Sequence, residues 1–363
     1  MRKWRWATGR AWGAGVLVAG FSLYTSLAFS VIPLPSTIIE SQEGSPEISE
    51  KIEAVSQPRK VSALDRAALE AALAKGSATR ESYLEFFEGE ARLGSPRKLR
   101  DLESALEEAQ ELLDGAPAMP EDVLQVTENI EVAIEEIQNY FDKRSRLRSV
   151  IRKEVAPGVV GIYASDPQSN EVIVSVNPDL EFTSASLYKL FVAYSMMRAV
   201  ETGEWSWADP LLGSWSLERC FDEMIIYSDN DCPVEWLDRV GVERVDSQIK
   251  GLGLENSQVV WSDMVTTAQD MGHFLELIYF GDIVDEVSLE RLAKAMENQE
   301  YREGMPDQLD GVTVLNKVGF LEDLLHDAGI VRSKKGDLVL VILTSGSSWE
   351  TIAEVAATIY NSL

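Results

Sequence analysis

The hydrophobic period of the chain changes near residue 155, and that change limits the fold more than any other feature. Before it, apolar residues recur at steps of three and four: Leu99, Leu102, Leu106, Ala109 and Leu113, then Val123, Val126, Ile130, Ile134, Ile137 and Phe141. Such spacing lines one face of a helix. After it, "GVVGIYA" (158–164) and "EVIVSV" (171–176) are rich in β-branched residues and flank "DPQSN", which predicts a β-hairpin. A helix over about 186–202 and a mostly helical stretch over about 216–300 come next. Strand candidates at 312–318, 327–332 and 338–344 and a last helix at about 348–362 close the chain. Strands at both ends with helices between them predict one sheet assembled from both ends, an α+β layered domain over 151–363.

The stretch 61–150 reads as α-helical and coiled-coil-like. "DGAPAMPED" separates its two clear helices, with Gly115 suited to a helix end and Pro120 to a first turn. Two antiparallel helices are the simplest outcome, with an earlier helix over about 62–92 joining them. The region carries no catalytic cluster. A spacer, a docking module and a surface for self-association all fit it.

The first ten residues carry four basic side chains and no acid, and 11–39 hold no charge at all. A membrane-spanning helix needs roughly 20 apolar residues. Basic residues before the run and acids after it predict a cytoplasmic N-terminus and an exported bulk. The reading is a single-pass membrane anchor over 1–34 with an extracytoplasmic domain. The alternative is a signal segment cleaved to release a secreted protein. The proline-bearing polar stretch 35–60 reads as a linker.

The formal net charge of −27 argues against nucleic acid and anionic membrane surfaces as partners. Cys220 and Cys232 are the two cysteines. In an exported chain so close a pair forms a disulfide or two separate buried thiols. No Cys/His cluster has metal spacing and no glycine-rich loop suits phosphate, so neither a metal nor a cofactor is expected.

Chemistry concentrates in three short segments. "TSASLYKLF" (183–191) places Lys189 three residues after Ser186 in a mostly apolar run. On a helix the two share a face. A serine hydroxyl needs a base to become a nucleophile, and a lysine serves when burial keeps it partly neutral. Alone, the pair reads as an N-capping serine and a snorkelling lysine. Further on, Ser228-Asp229-Asn230 sits between two apolar, helix-like stretches. Lys317-Val318-Gly319 then falls in a strand candidate, where a glycine admits close backbone approach and the ammonium meets an anion.

These segments, in this order, resemble the penicillin-recognising serine acyl-enzymes, the class A β-lactamase family. "TTAQDM" (266–271), "HDAGIV" and "LVLVILTSG" add to the resemblance, which covers roughly 150–363. It implies a β-lactamase/transpeptidase-like domain with an antiparallel sheet and a helical subdomain. It implies that Ser186 is acylated, Lys189 takes its proton and Ser228 relays a proton to the leaving nitrogen. Asn230 would bind the substrate amide and help hold Lys189. Lys317 would meet the substrate carboxylate. The N–H groups of Ser186 and of Phe320, beside Gly319, would form the oxyanion hole. Asp229 would brace its turn.

Two departures matter. The family carries a hydroxyl residue where this chain has Val318, which weakens or reroutes carboxylate binding. The family also carries a glutamate on an omega loop that activates the deacylating water. Here the segment between Asn230 and Thr266 looks truncated, and none of Glu235, Asp238, Glu243, Asp246, Glu255 and Asp263 sits in a Glu-x-x-x-Asn pattern. His326-Asp327 reads as a structural strand pair, and "WSWADPLLGSW" (205–215) as a packed apolar loop, with sugar stacking as its alternative. The expected function is a serine hydrolase acting on β-lactam amide bonds. The alternatives are a D-Ala-D-Ala peptidase of cell-wall metabolism that deacylates slowly, acting on peptidoglycan stem peptides, and a non-catalytic cell-wall binding protein.

Overall fold

The computed structural model describes residues 60–86 and 97–363. The expected anchor or signal segment and nearly all of the linker lie outside the described residues. Among the described residues no helix is long and apolar enough to cross a membrane.

The described residues begin with three helices: α1 (Ala63–Phe86), α2 (Arg97–Leu113) and α3 (Pro120–Glu154). The expected antiparallel pair and the earlier helix joining it form a three-helix bundle. Its core takes Leu69 from α1, Leu102 and Ala109 from α2, and Ile130 from α3, all fully buried. These α2 and α3 positions belong to the stripe legible in the sequence. Pro120 opens α3, and Asp122 Oδ2 accepts from Met119 N at 2.8 Å, satisfying one of the amides that a helix start leaves unpaired. The helix does not stop at 150. Its last turns carry Leu147 and Ile151 into a second core, so one helix belongs to the bundle and to the layered domain.

The layered domain continues with β1 (Val159–Asp166), β2 (Glu171–Val176) and β3 (Glu181–Thr183), then α4 (Tyr188–Glu201) after a 3₁₀ turn at Ala185–Leu187. A short hairpin, β4 (Pro210–Leu212) and β5 (Trp215–Ser216), leads to α5 (Leu217–Ile226), α6 (Asp231–Val240) and α7 (Val242–Lys250). Next come β6 (Gln258–Val260), β7 (Asp263–Thr267), α8 (Ala268–Phe280) and α9 (Glu286–Glu297). The chain closes with β8 (Thr313–Leu321), β9 (Leu324–Arg332), β10 (Leu338–Ser345) and α10 (Trp349–Asn361).

The main sheet runs β2-β1-β10-β9-β8, and all of its pairs are antiparallel. Its first two strands come from the start of the domain and the other three from its end, as the periodicity predicts. Both faces are covered. Leu340 and Ile342 pack toward α3 and α10, while Val339 and Val341 face the core of α4 and α8. Alternate residues of one strand thus enter different cores, which is why β10 is apolar at nearly every position. On the α8 side, Gly272 has no side chain because a Cβ there would stand 2.1 Å from the Tyr163 ring.

A second sheet, β3-β7-β6, holds strands that the sequence reading does not contain. They are three and five residues long, too short for a period to register. The Trp-rich loop packs as an apolar cluster against α5 and α6. Trp205 meets Trp236 edge-on at 5.1 Å, and Trp207 meets Phe221 at 5.3 Å.

Candidate active site

Ser186 lies in the 3₁₀ turn before α4, and Lys189 in the first turn of that helix. The sequence reading puts both on one α-helix. The 3₁₀ turn aligns residues three apart more closely than an α-helix does. Lys189 Nζ stands 3.0 Å from Ser186 Oγ. Ala185, just before the serine, holds a positive φ of 46°, a conformation that costs a non-glycine residue energy and recurs at functional sites.

The loop between α5 and α6 brings the second segment to the same lysine. Lys189 Nζ is 2.6 Å from the Ser228 carbonyl, 2.7 Å from Asn230 Oδ1 and 3.2 Å from Ser228 Oγ. Ser228 also has a positive φ, 59°, so its carbonyl and hydroxyl are both held at one ammonium. Asp229 accepts from Cys232 N at 2.9 Å, which braces the turn. Cys220 on α5 and Cys232 on α6 form a disulfide that closes the loop from below.

Lys317 arrives from β8. Its Nζ is 2.9 Å from Ser228 Oγ and 2.8 Å from the Val318 carbonyl. Two residues on, Gly319 crosses the serine turn. A Cβ at Gly319 would meet Ser184 O at 3.0 Å and Ser186 N at 3.2 Å, so only glycine lets β8 lie against the Ser186 amide. That approach sets the backbone leading to Phe320 beside Ser186.

Both lysines are fully buried. Burial lowers Lys189 to about 8, against a smaller opposing pull from Asp229. Burial lowers Lys317 further below its ordinary value, helped by the charge of Lys189 and opposed by Asp327. Above about pH 8 Lys189 is a neutral amine, and its contacts can then be assigned. A carbonyl and an amide oxygen can only accept, and they take the two N–H bonds of a neutral lysine. The lone pair is then left for hydroxyls, which can donate. Ser186 Oγ is one of them.

Residues 142–363 match the model of the beta-lactamase enzyme family. The chain belongs to that family. Among solved structures, PBP-A is 22% identical with a TM-score of 0.55, covering 60% of this chain and 95% of its own. A PBP-A variant solved as an acyl-enzyme complex with penicillin G is 21% identical, with a TM-score of 0.56 and coverage of 61% and 96%. A beta-lactamase from Sphaerobacter thermophilus is 19% identical, with a TM-score of 0.54 and coverage of 61% and 95%. At these identities the likeness is one of fold. No curated protein matches the chain.

Two features of this beta-lactamase-family site concern substrate and water. Val318 is buried and brings no hydroxyl to the cleft, an open space of about 820 Å³ in front of Ser186. The segment between Asn230 and Thr266 folds as α6, α7 and the β6–β7 hairpin. Of its acids, Glu235 pairs with Arg239 at 2.7 Å and Asp246 accepts from Val259 N at 2.9 Å. Of the six acids named from the sequence, Asp263 is the one that lines the cleft. The sequence reading assigns it nothing, because no spacing marks it. Asp231 and Trp261 line the cleft unannounced for the same reason.

His326 and Asp327 are engaged by neighbouring strands and backbone. His326 Nε2 faces the Thr183 carbonyl at 2.9 Å, and its Nδ1 accepts from Thr344 N at 3.2 Å, which fixes one neutral tautomer. Asp327 accepts from Asn316 Nδ2 and Met305 N, each at 2.8 Å. No triad geometry joins either residue to Ser186. Among the described residues no group of three or more His, Cys, Asp and Glu is placed to hold a metal ion.

Proposed function

We propose that this chain is a serine hydrolase that works through an ester of Ser186. Its acyl donors are amide-type substrates; β-lactams and the stem peptides they imitate are the class the resemblance implies, and they serve as the first probes of Ser186. The contact between Ser186 Oγ and a buried, partly neutral Lys189 carries the reading. Lys189 accepts the hydroxyl proton as Ser186 Oγ bonds to the carbonyl carbon. The amide N–H groups of Ser186 and Phe320 receive the oxyanion. Ser228, between two lysine nitrogens, passes a proton to the departing nitrogen. The acyl–nitrogen bond breaks and an acyl–oxygen bond replaces it. Water then hydrolyses the ester and regenerates the serine.

One observation favours a slow second half. The hairpin that stands in place of an omega loop offers the cleft a single carboxylate, Asp263, and no glutamate. A long-lived ester follows, the behaviour of a penicillin-binding peptidase more than that of a fast β-lactamase. The disulfide supports work outside the cytoplasm.

The test is acylation of residues 60–363 by a fluorescent penicillin and by a neutral activated thioester, read by intact mass and by turnover of a chromogenic cephalosporin. A stable adduct absent from Ser186→Ala supports the proposal. Rapid cephalosporin turnover supports acylation and rejects the slow second half. No adduct with any reagent sinks the enzyme reading and leaves a binding role.

A further inference from the structure

The cleft in front of Ser186 is acidic. Asp229, Asp231 and Asp263 line it, and among the described residues no lysine or arginine does. The two nearest cations are withdrawn. Lys189 and Lys317 are fully buried, and their nitrogens are held by Ser228, Asn230 and the Val318 carbonyl. Val318 supplies no hydroxyl that could take their place. A carboxylate entering this cleft would lose hydration beside like charges and gain no exposed cation.

The rim is apolar. Tyr227 and Trp261 are each 53% exposed, Phe320 44% and Leu321 51%. A single exposed apolar side chain is ordinary, but several around one cleft mark a binding surface. Aromatic faces beside carboxylates attract cations as well as apolar groups.

We infer that the acyl donor presents no carboxylate to this cleft. Its leaving segment is neutral or cationic, with an apolar group seated on Tyr227, Trp261 and Phe320. Within the acyl-transfer reading, on which this rests, an interior or amidated peptide bond fits better than one beside a free C-terminus. On this reading Lys317 meets no substrate carboxylate.

The test uses three thioesters of one aromatic acyl group, with leaving thiols that end in carboxylate, carboxamide or ammonium. In each, the acyl–sulfur bond breaks, Ser186 gains the acyl group, and the serine proton ends on the thiol. Thiol release is followed colorimetrically, adducts are weighed, and each rate is divided by that of the hydroxide reaction. At low salt the ammonium thioester should react at least about tenfold faster than the carboxylate one. The gap should narrow in Asp263→Asn. It should also narrow near 1 M salt, where charges are screened beyond about 3 Å. A ratio at or below one, with Ser186 acylated by all three, overturns the substrate class and leaves acyl transfer standing. A preference unchanged by salt overturns it too, because the aspartates would not be its source. Acylation by none of the three overturns both readings.

Discussion

Lys189 and Lys317 aim their side-chain nitrogens at one hydroxyl, Ser228 Oγ, from 3.2 Å and 2.9 Å. Two buried ammonium groups so placed cannot both stay charged, because each raises the cost of protonating the other. Lys317, the more strongly lowered of the two, gives up its proton first. Lys189 follows at about 8, and its contact with Ser186 makes that second loss the useful one.

A pH profile follows. Acylation needs Lys189 without its extra proton, and its value is about 8. Below that point the labelling rate of Ser186 should rise by about tenfold per pH unit, then level off above it. Stopped-flow labelling with a neutral acyl donor across this range reads the profile. A rate that falls as pH rises would exclude Lys189 as the base. Lys189→Arg keeps its proton throughout, and should slow labelling by about 10² or more.

Gly319→Ala tests the approach of β8. The added Cβ would meet Ser184 O at 3.0 Å and Leu187 Cγ at 3.2 Å, so the strand must move away from the serine turn. A displacement near 1 Å at a reacting centre costs about 10² in rate. Acylation should drop on that scale while the fold persists, as circular dichroism would report. Labelling at the parent rate would show that the strand backbone plays no part.

The three motif segments were legible because their chemistry is local. Ser186 and Lys189 are three residues apart, Ser228 and Asn230 two apart, and Lys317 and Gly319 two apart on one strand face. The sheet was legible because Leu338, Val339, Leu340, Val341 and Ile342 are buried on both faces, which leaves a continuous apolar run. The cleft walls were not. Asp263 and Trp261 stand at the β6–β7 turn, where no period or spacing distinguishes a wall from a surface loop. The unbroken course of α3 was hidden as well, since Leu147 and Ile151 repeat the helical spacing while changing the core they enter.

The disulfide should act through the loop it closes. Cys220 and Cys232 are both fully buried and bracket Ser228, Asp229 and Asn230. A cross-link over so short a loop contributes about 3 kcal/mol in the chain-entropy picture. The pair variant Cys220→Ala/Cys232→Ala should melt several degrees lower and label more slowly, because the Ser228 carbonyl and Asn230 then hold Lys189 less firmly. A fall in Tm with unchanged labelling would separate the staple from the site. No change in either would remove its structural role altogether.

Asp327 gives a prediction about stability. It is fully buried on β9, opposite Val318, and burial raises its carboxyl to about 7. The hydrogen bonds from Asn316 and Met305, then the charges of Arg302 and Lys317, oppose that rise without cancelling it. The folded protein therefore holds this proton more tightly than the unfolded chain, whose aspartate releases it near pH 4. Between those two values the unfolded state binds fewer protons, so the residue's contribution to stability falls as pH rises, by up to about 1.4 kcal/mol per unit. Asp327→Asn does not titrate. It should be less stable than the parent at every pH, since its amide keeps one acceptor oxygen and sets N–H groups against one of the two donors, Asn316 or Met305. The difference should be largest near pH 4 and shrink toward pH 7. Urea unfolding of both proteins at several pH values measures it. A difference that grows with pH would mean that Asp327 is ionised in the folded state, held as the counter-ion of Lys317.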